Sequence, residues 1–355
     1  MTMAQSCDES WRLAMVVPFQ GPAGMFGASC EAVTELAVAE LNATSGVGGR
    51  PVTVELIDGG AKPEAVAARI RDLIREQRID AVTGWHISSV RLAIARETAG
   101  KLPYVYTSLY EGGEDRVGVV CLGETPSMQI APALKWLRKQ AGLRRWLVVG
   151  DDYVWPRLSC AAIRSQSQDL GISIIGEHFV PYGGGRIRHL VDLAERSNCD
   201  GVLMLLVGQH AVDFNREFAR RGLSARIARY SPLMEETMLL ASGAGATENL
   251  YVSASYFRSL RTDEAMDLVS AYTRLHGSSA PPLNNMAESC YEGIRFLADA
   301  ATRTRSTKAE RIIENTVQAS YAGPRGTVNF NEGKAVQPIH LAMASGHDFD
   351  IIATL

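Results

Sequence analysis

The 355-residue chain reads as an α/β protein built from two consecutive doubly wound lobes with a crevice between them. Three observations predict this. Strand-like apolar runs and helix-like amphipathic runs alternate without interruption from Arg12 onward, which argues for parallel sheets covered on both faces. The alternation starts again after Pro126, so that each series takes up close to half of the chain. Aromatic residues with polar handles also collect where strands end, and in open α/β sheets ligands bind at the carboxyl edge.

The first series predicts strand Arg12–Val17, helix Phe26–Asn42 with Ala and Leu on one face, strand Val52–Ile57 and helix Pro63–Glu76. Strand Ala81–Thr83, helix Ser88–Ala99 and strand Tyr104–Tyr106 follow, then the short apolar Val119–Leu122. A helix from Pro126 to Gln140 opens the second series. Its strands are Trp146–Val149, Ile172–Val180, Gly201–Leu206, Arg226–Ala228 and Leu250–Ser255. Its helices are Leu158–Leu170, Ile187–Ser197, Ala211–Arg221 and a short one near Glu235–Leu240. Helices Thr262–His276, Met286–Thr302 and Lys308–Ala319 precede a β-ribbon tail of Gly326–Phe330, Ile339–Ala344 and Phe349–Ala353. Turns are expected at Asn331-Glu332-Gly333 and Ser345-Gly346-His347, and the tail must pack back onto the lobes.

The net charge of −3 gives no reason to expect a polyanion as direct ligand, so any nucleic-acid role is indirect. No apolar run approaches the roughly 20 residues of a membrane span. The six cysteines have no CxxC spacing and read as isolated buried thiols. The first ten residues carry neither a basic region nor an apolar one, which predicts a cytoplasmic protein.

Gly21-x-x-Gly24-x-x-Gly27 follows a strand, but dinucleotide binding needs GxGxxG and Pro22 removes a donor, so a plain turn is expected. HExxH, GxSxG and GxxxxGK[ST] are absent, and the seven histidines lack metal-ligand spacing. Asp151-Asp152 reads as a helix cap rather than a pair of catalytic carboxylates. No catalytic residue, metal or cofactor is expected.

Three stretches carry the binding argument. In Gly84-Trp85-His86-Ile87-Ser88-Ser89 the serines open a helix whose free N–H groups can hold an anion or a carbonyl oxygen. His86 has two readings, a ligand-facing donor or a satisfied loop histidine. Tyr104 and Tyr106 fall on one side of a strand, with Ser108 and Tyr110 in its exit loop. Tyr153 and Trp155 stand in the tight turn before Pro156 and a helix. Such groups at corresponding places in two lobes predict a small-molecule crevice.

Gly84-Trp85-His86-Ile87-Ser88, Tyr106-Thr107-Ser108-Leu109-Tyr110-Glu111-Gly112, Gly150-Asp151-Asp152-Tyr153-Val154-Trp155-Pro156-Arg157 and Gly323-Pro324-Arg325-Gly326-Thr327-Val328 resemble segments of type I periplasmic-binding-protein folds. The likeness is to the amide- and urea-binding branch, which includes the amide-sensing regulator of the aliphatic amidase operon and nitrile hydratase regulators. It implies two lobes, 1–121 with 256–323 and 122–255 with 324–355, joined by crossovers near Cys121, Ser255 and Gly323. The site it implies is His86, Ser88, Tyr106, Ser108, Tyr153 and Trp155, with Val207 as further second-lobe wall and Tyr110 as a nearby aromatic. His86 and Trp155 depart from the branch's tyrosines, and Ser108 from its threonine.

A carboxamide presents one acceptor and two donors. Ser88 and the helix N–H groups suit its oxygen, and Ser108 suits its NH2. The resemblance therefore implies a cytosolic amide sensor that regulates an amidase or nitrile hydratase operon. Its expected partner is an RNA-binding antiterminator, without direct nucleic-acid or membrane contact, and a homo-oligomer is expected. The alternative is the substrate-binding component of an ABC importer for short-chain amides, urea or branched-chain amino acids. An enzyme is not expected, since no nucleophile–base pair is visible.

Overall fold

The computed structural model describes residues 10–316, 320–331 and 334–355. Cys7, the end of the helix expected to reach Ala319, and Glu332-Gly333 of one expected turn lie outside them. The first sheet holds β1 (Trp11–Val17), β2 (Val52–Asp58), β3 (Ala81–Gly84), β4 (Tyr104–Tyr106) and β5 (Val119–Cys121). All pair in parallel in the order β2-β1-β3-β4-β5, the arrangement that alternating helices α1 (Gly27–Asn42), α2 (Pro63–Arg75) and α3 (Ser88–Thr98) require.

After α4 (Ile130–Ala141) the second sheet begins with β6 (Arg145–Asp151), followed by α5 (Val154–Leu170), β7 (Ser173–Val180), α6 (Ile187–Arg196) and β8 (Gly201–Leu205). Then come α7 (Gln209–Arg220), β9 (Ala228–Ser231), α8 (Glu236–Ser242) and β10 (Leu250–Ala254). The chain continues through α9 (Asp263–His276), α10 (Asn285–Thr304) and α11 (Ala309–Thr316). It ends in β11 (Tyr321–Gly323), β12 (Gly326–Asn331), β13 (Lys334–Val336), β14 (His340–Ser345) and β15 (Asp348–Thr354). Strands β10, β9, β8, β6 and β7 run parallel in that order, and β14 and β15 extend the sheet antiparallel beyond β10. The α/β fold of parallel-sheet lobes is therefore the one the alternation predicts.

Helix α10 packs on α1 and β3, and α9 on α1, so the chain returns to the first sheet once β10 is complete. The tail divides. Strands β11–β13 form their own small antiparallel ribbon, whose Tyr321 and Phe330 rings pack on Phe296 of α10 at 5.9 and 5.7 Å.

Two local differences from the sequence reading matter for the site. Helix α5 starts at Val154, four residues before the expected Leu158, because Pro156 is tolerated inside a first turn, where its missing N–H has no partner to lose. Trp155 thus belongs to the helix, and Tyr153 is its extended N-cap at φ −150°. The Asp pair does not cap this helix. Asp151 is fully buried in β6 and bonded elsewhere, while exposed Asp152 pairs with Arg157 at 2.8 Å.

One buried cluster lies at the junction between the sheets. Ser255, just past β10, donates from Oγ to Glu124 Oε1 at 2.5 Å and accepts from Arg325 Nη1 at 3.0 Å. Arg325 also binds Glu292 of α10, with Glu288 at 3.9 Å. Burial raises the Glu288 carboxyl well above its ordinary range, with the neighbouring Glu292 charge adding to the shift. Three carboxyls against one guanidinium are tolerable in a dry site when one of them holds its proton.

Candidate functional site

The opening turns of α3 and α5 come from different sheets and border one cavity between them. Its lining is Trp85, His86, Ile87, Ser88, Tyr106, Ser108 and Leu109 on one side, with Tyr153, Trp155 and Leu233 on the other. Six of the eight residues expected from the sequence therefore meet around one space: His86, Ser88, Tyr106, Ser108, Tyr153 and Trp155. The cavity measures about 10 Å³, room for about one water molecule. A larger solute enters only if the two sides part.

Tyr110 and Val207 are not among the lining residues. The Tyr110 ring turns away onto the buried Arg91 guanidinium, 5.4 Å from the ring centroid, because Arg91 offers its face to Tyr106 and Tyr110 together while pairing with Glu111 and Glu114. Val207 is buried behind the wall and donates its N–H to Asp151 at 2.8 Å. Trp85, Ile87, Leu109 and Leu233 line the cavity without having been singled out as binding residues. Leu233 follows β9, and only its position past a strand's carboxyl end signals it.

The polar groups are mostly spoken for. His86 Nδ1 lies 3.0 Å from the Val16 carbonyl, which can only accept, so Nδ1 carries the hydrogen and Nε2 accepts from the Tyr104 hydroxyl at 2.6 Å. Desolvation lowers the ring to about 4, which keeps it neutral. Of the two readings of His86, the satisfied histidine describes its ring, and its backbone shapes the wall. The His86 carbonyl accepts from Tyr106 Oη at 2.7 Å and Ser108 Oγ at 2.9 Å, and the His86 N–H donates back to Ser108 Oγ at 3.1 Å. Ser88 differs. Its buried Oγ completes no hydrogen bond, although it lies near enough to the Tyr106 hydroxyl to help hold that group down against burial.

With Ser88 Oγ come the first N–H groups of two helices of 11 and 17 residues, which have no intrahelical acceptors. The lining contains no charged side chain. The nearby Glu235 carboxylate is committed to capping α8, accepting from Thr237 N at 2.7 Å and Met238 N at 2.9 Å. Trp155, Tyr153 and Trp85 supply flat apolar surface. This arrangement suits a head group rich in acceptor oxygen on a compact apolar body. It contains no activated nucleophile, and among the described residues no group of three His, Cys, Asp or Glu is placed to hold a metal.

The two sides also touch at the rim of the cleft. Gln209 N–H donates to the Pro22 carbonyl at 2.9 Å. Gly208, at φ +52°, lets that carbonyl approach so closely that a Cβ there would lie 1.9 Å from its oxygen.

Comparison with known proteins agrees with the fold. The family model described as periplasmic binding protein matches residues 10–348. A solute-binding protein of an ABC transporter from Rhodopseudomonas palustris BisB5, solved with 3,4-dihydroxybenzoic acid, superposes with TM-score 0.87 at 18% identity, covering 98% of each chain. The leucine-binding protein LivK of Thermotoga maritima gives 0.83 at 19%, covering 97% of this chain and 98% of the other. The substrate-binding protein LivJ of Streptococcus pneumoniae, solved with isoleucine, gives 0.82 at 14%, with 97% and 98% covered. At these identities the likeness to solved structures establishes the fold.

The family match overturns the expected cytoplasmic location. The family is one of periplasmic binding proteins, which implies a place outside the cytoplasm. The folded residues carry no physical record of their compartment, so the composition of the first few residues was a poor guide.

Proposed function

The chain belongs to the periplasmic binding protein family, and from that premise we propose that it is the solute-binding component of an importer. Its ligand is a small carboxylate or carboxamide with an aromatic or otherwise flat apolar body. The carrying observation is the unpaired Ser88 hydroxyl set between two helix N-termini in a lining without charge. Partial positive charge at helix N-termini favours a carboxylate or a carbonyl oxygen without a side-chain cation. The ring surfaces of Trp155, Tyr153 and Trp85 suit an aromatic body, and the Rhodopseudomonas protein solved with 3,4-dihydroxybenzoic acid has the same fold. An α-amino acid fits less well, since the ammonium group finds no free carboxylate: Glu235 is occupied at the head of α8.

The similar solved chains favour this importer role over regulation of an amidase or nitrile hydratase operon. The partner in this reading is the membrane component of the importer, in place of an RNA-binding antiterminator. Within the fold, we take the lobes to divide as the resemblance implied up to Gly323. The packing of β11–β13 on α10 supports moving the final crossing to about Gln337, whose Nε2 donates to the Leu122 carbonyl at 3.0 Å.

A thermal-shift screen tests the ligand class. Benzoate, 4-hydroxybenzoate, benzamide, short aliphatic amides, urea and branched-chain amino acids would be compared at equal concentration. A ligand at about 100 times its Kd stabilises by about 2.7 kcal/mol. Stabilisation by the benzoates or benzamide supports the proposal. Stabilisation by leucine or isoleucine alone overturns it.

A further inference from the structure

Behind the second-lobe wall stands a buried pair that takes no part in the cavity lining. Asp151, the last residue of β6, has no exposed surface, and both carboxylate oxygens are engaged. Oδ2 accepts the Val207 N–H at 2.8 Å, and Oδ1 lies 2.5 Å from His210 Nδ1, which must be the donor. Burial pushes the Asp151 carboxyl up, and the His210 contact pulls it back.

The placement of these two anchor points is informative. Val207 and His210 flank Gly208 and Gln209, the residues that meet Pro22 across the cleft. The His210 ring also packs edge-on against Tyr182 at 6.4 Å, and Tyr182 against Tyr153 at 5.5 Å. Tyr182 itself reaches the first lobe, where the Ala23 backbone comes near enough to its hydroxyl to help hold that group down against burial. One carboxylate–imidazole pair thus stands behind both cross-cleft contacts and behind the Tyr153 face of the cavity. Filling a loop with an acceptor for the Val207 N–H would need neither the histidine nor its stack of rings.

We propose that Asp151 and His210 are positioning residues for lobe closure, holding the 207–210 turn in the shape that receives Pro22 while steadying Tyr153 through Tyr182. The assignment deepens the solute-binding reading and rests on it for the purpose that closure serves. The coupling itself can be measured without ligand.

Amide hydrogen exchange on the full chain tests it, comparing wild type with His210→Ala and His210→Asn. The asparagine amide keeps an N–H where Nδ1 stood but loses the ring. The expected result is exchange about tenfold faster for His210→Ala at Gln209 and, across the cleft, at Ala23, with strand β8 unchanged. His210→Asn should restore protection at Gln209 and leave Ala23 fast. Acceleration in 207–210 alone, with Ala23 unchanged, would show a merely local role and overturn the inference. A second arm measures dissociation of 4-hydroxybenzoate by tryptophan fluorescence, where His210→Ala should dissociate faster. If wild type does not bind that probe, the ligand class has failed, while the exchange result still decides the role of the pair.

Discussion

Replacing Gly208 by alanine should weaken ligand binding while leaving the open protein folded, and the size of the effect follows from the rim geometry. The new Cβ would sit 1.9 Å from the Pro22 oxygen, whereas van der Waals contact begins at about 3.5 Å. The two sides must therefore part there by more than about 1 Å, which carries the 2.9 Å bond from Gln209 N–H to Pro22 beyond hydrogen-bond range. Losing that bond from a shielded rim costs about 1–3 kcal/mol, and only in the closed state. At about 1.4 kcal/mol per decade, affinity should fall by roughly 5- to 100-fold. A separate backbone penalty arises because φ +52° with ψ −119° is unfavourable for any residue with a side chain, costing about 1–3 kcal/mol. That penalty is present in both open and closed forms, so it lowers Tm without touching affinity. Calorimetry with the ligand identified by the screen, alongside thermal unfolding of the ligand-free protein, separates the two. An affinity within twofold of wild type would refute the argument that this rim contact contributes to closure.

Three further outcomes are expected. Ser88→Ala should leave ligand-free stability unchanged or slightly raised, since the hydroxyl removed is buried without a hydrogen bond, yet it should weaken binding about tenfold in calorimetry; clear destabilisation of the free protein would contradict the unpaired state. Trp155→Ala should abolish detectable binding and also lower stability in urea unfolding by about 3–5 kcal/mol, because this ring is 2% exposed and part of the core; retained affinity would remove Trp155 from the wall. Stability should fall as pH rises from about 5 to about 8. Burial raises Glu235 to about 7 and Glu236 to about 8, and Glu288 well above 4.5, so the folded chain keeps protons that the unfolded chain releases. Each such group contributes about 1.4 kcal/mol of loss per pH unit between its unfolded and folded values. Glu288→Gln should flatten this dependence in urea midpoints, and a stability that increases over the same range would show the sign to be wrong.

Much of this protein was legible in its residues. Element type and order depend on the local period of apolar residues and on turn residues, and these placed every strand of the first sheet within about two residues. The exit loops of β3 and β4 and the head of α5 were found for the same reason: a residue's distance past a strand's end is a local property. What the sequence could not decide is where a side chain turns once it arrives. The His86 ring is held by Val16, 70 residues away, and by Tyr104, 18 away. Tyr110, expected at the site, instead covers Arg91, whose position depends on Glu111 and Glu114. Asp151 looked like half of a cap, and only the arrival of β8 and α7 beside β6 shows it binding Val207 and His210. The junction of Glu124, Ser255 and Arg325 joins residues 131 and 70 positions apart. Local periodicity thus determined the lobes and the lip of the cleft. The partners of the buried polar groups were set by long-range packing, because a donor or acceptor removed from water must take whatever complement the fold brings to it.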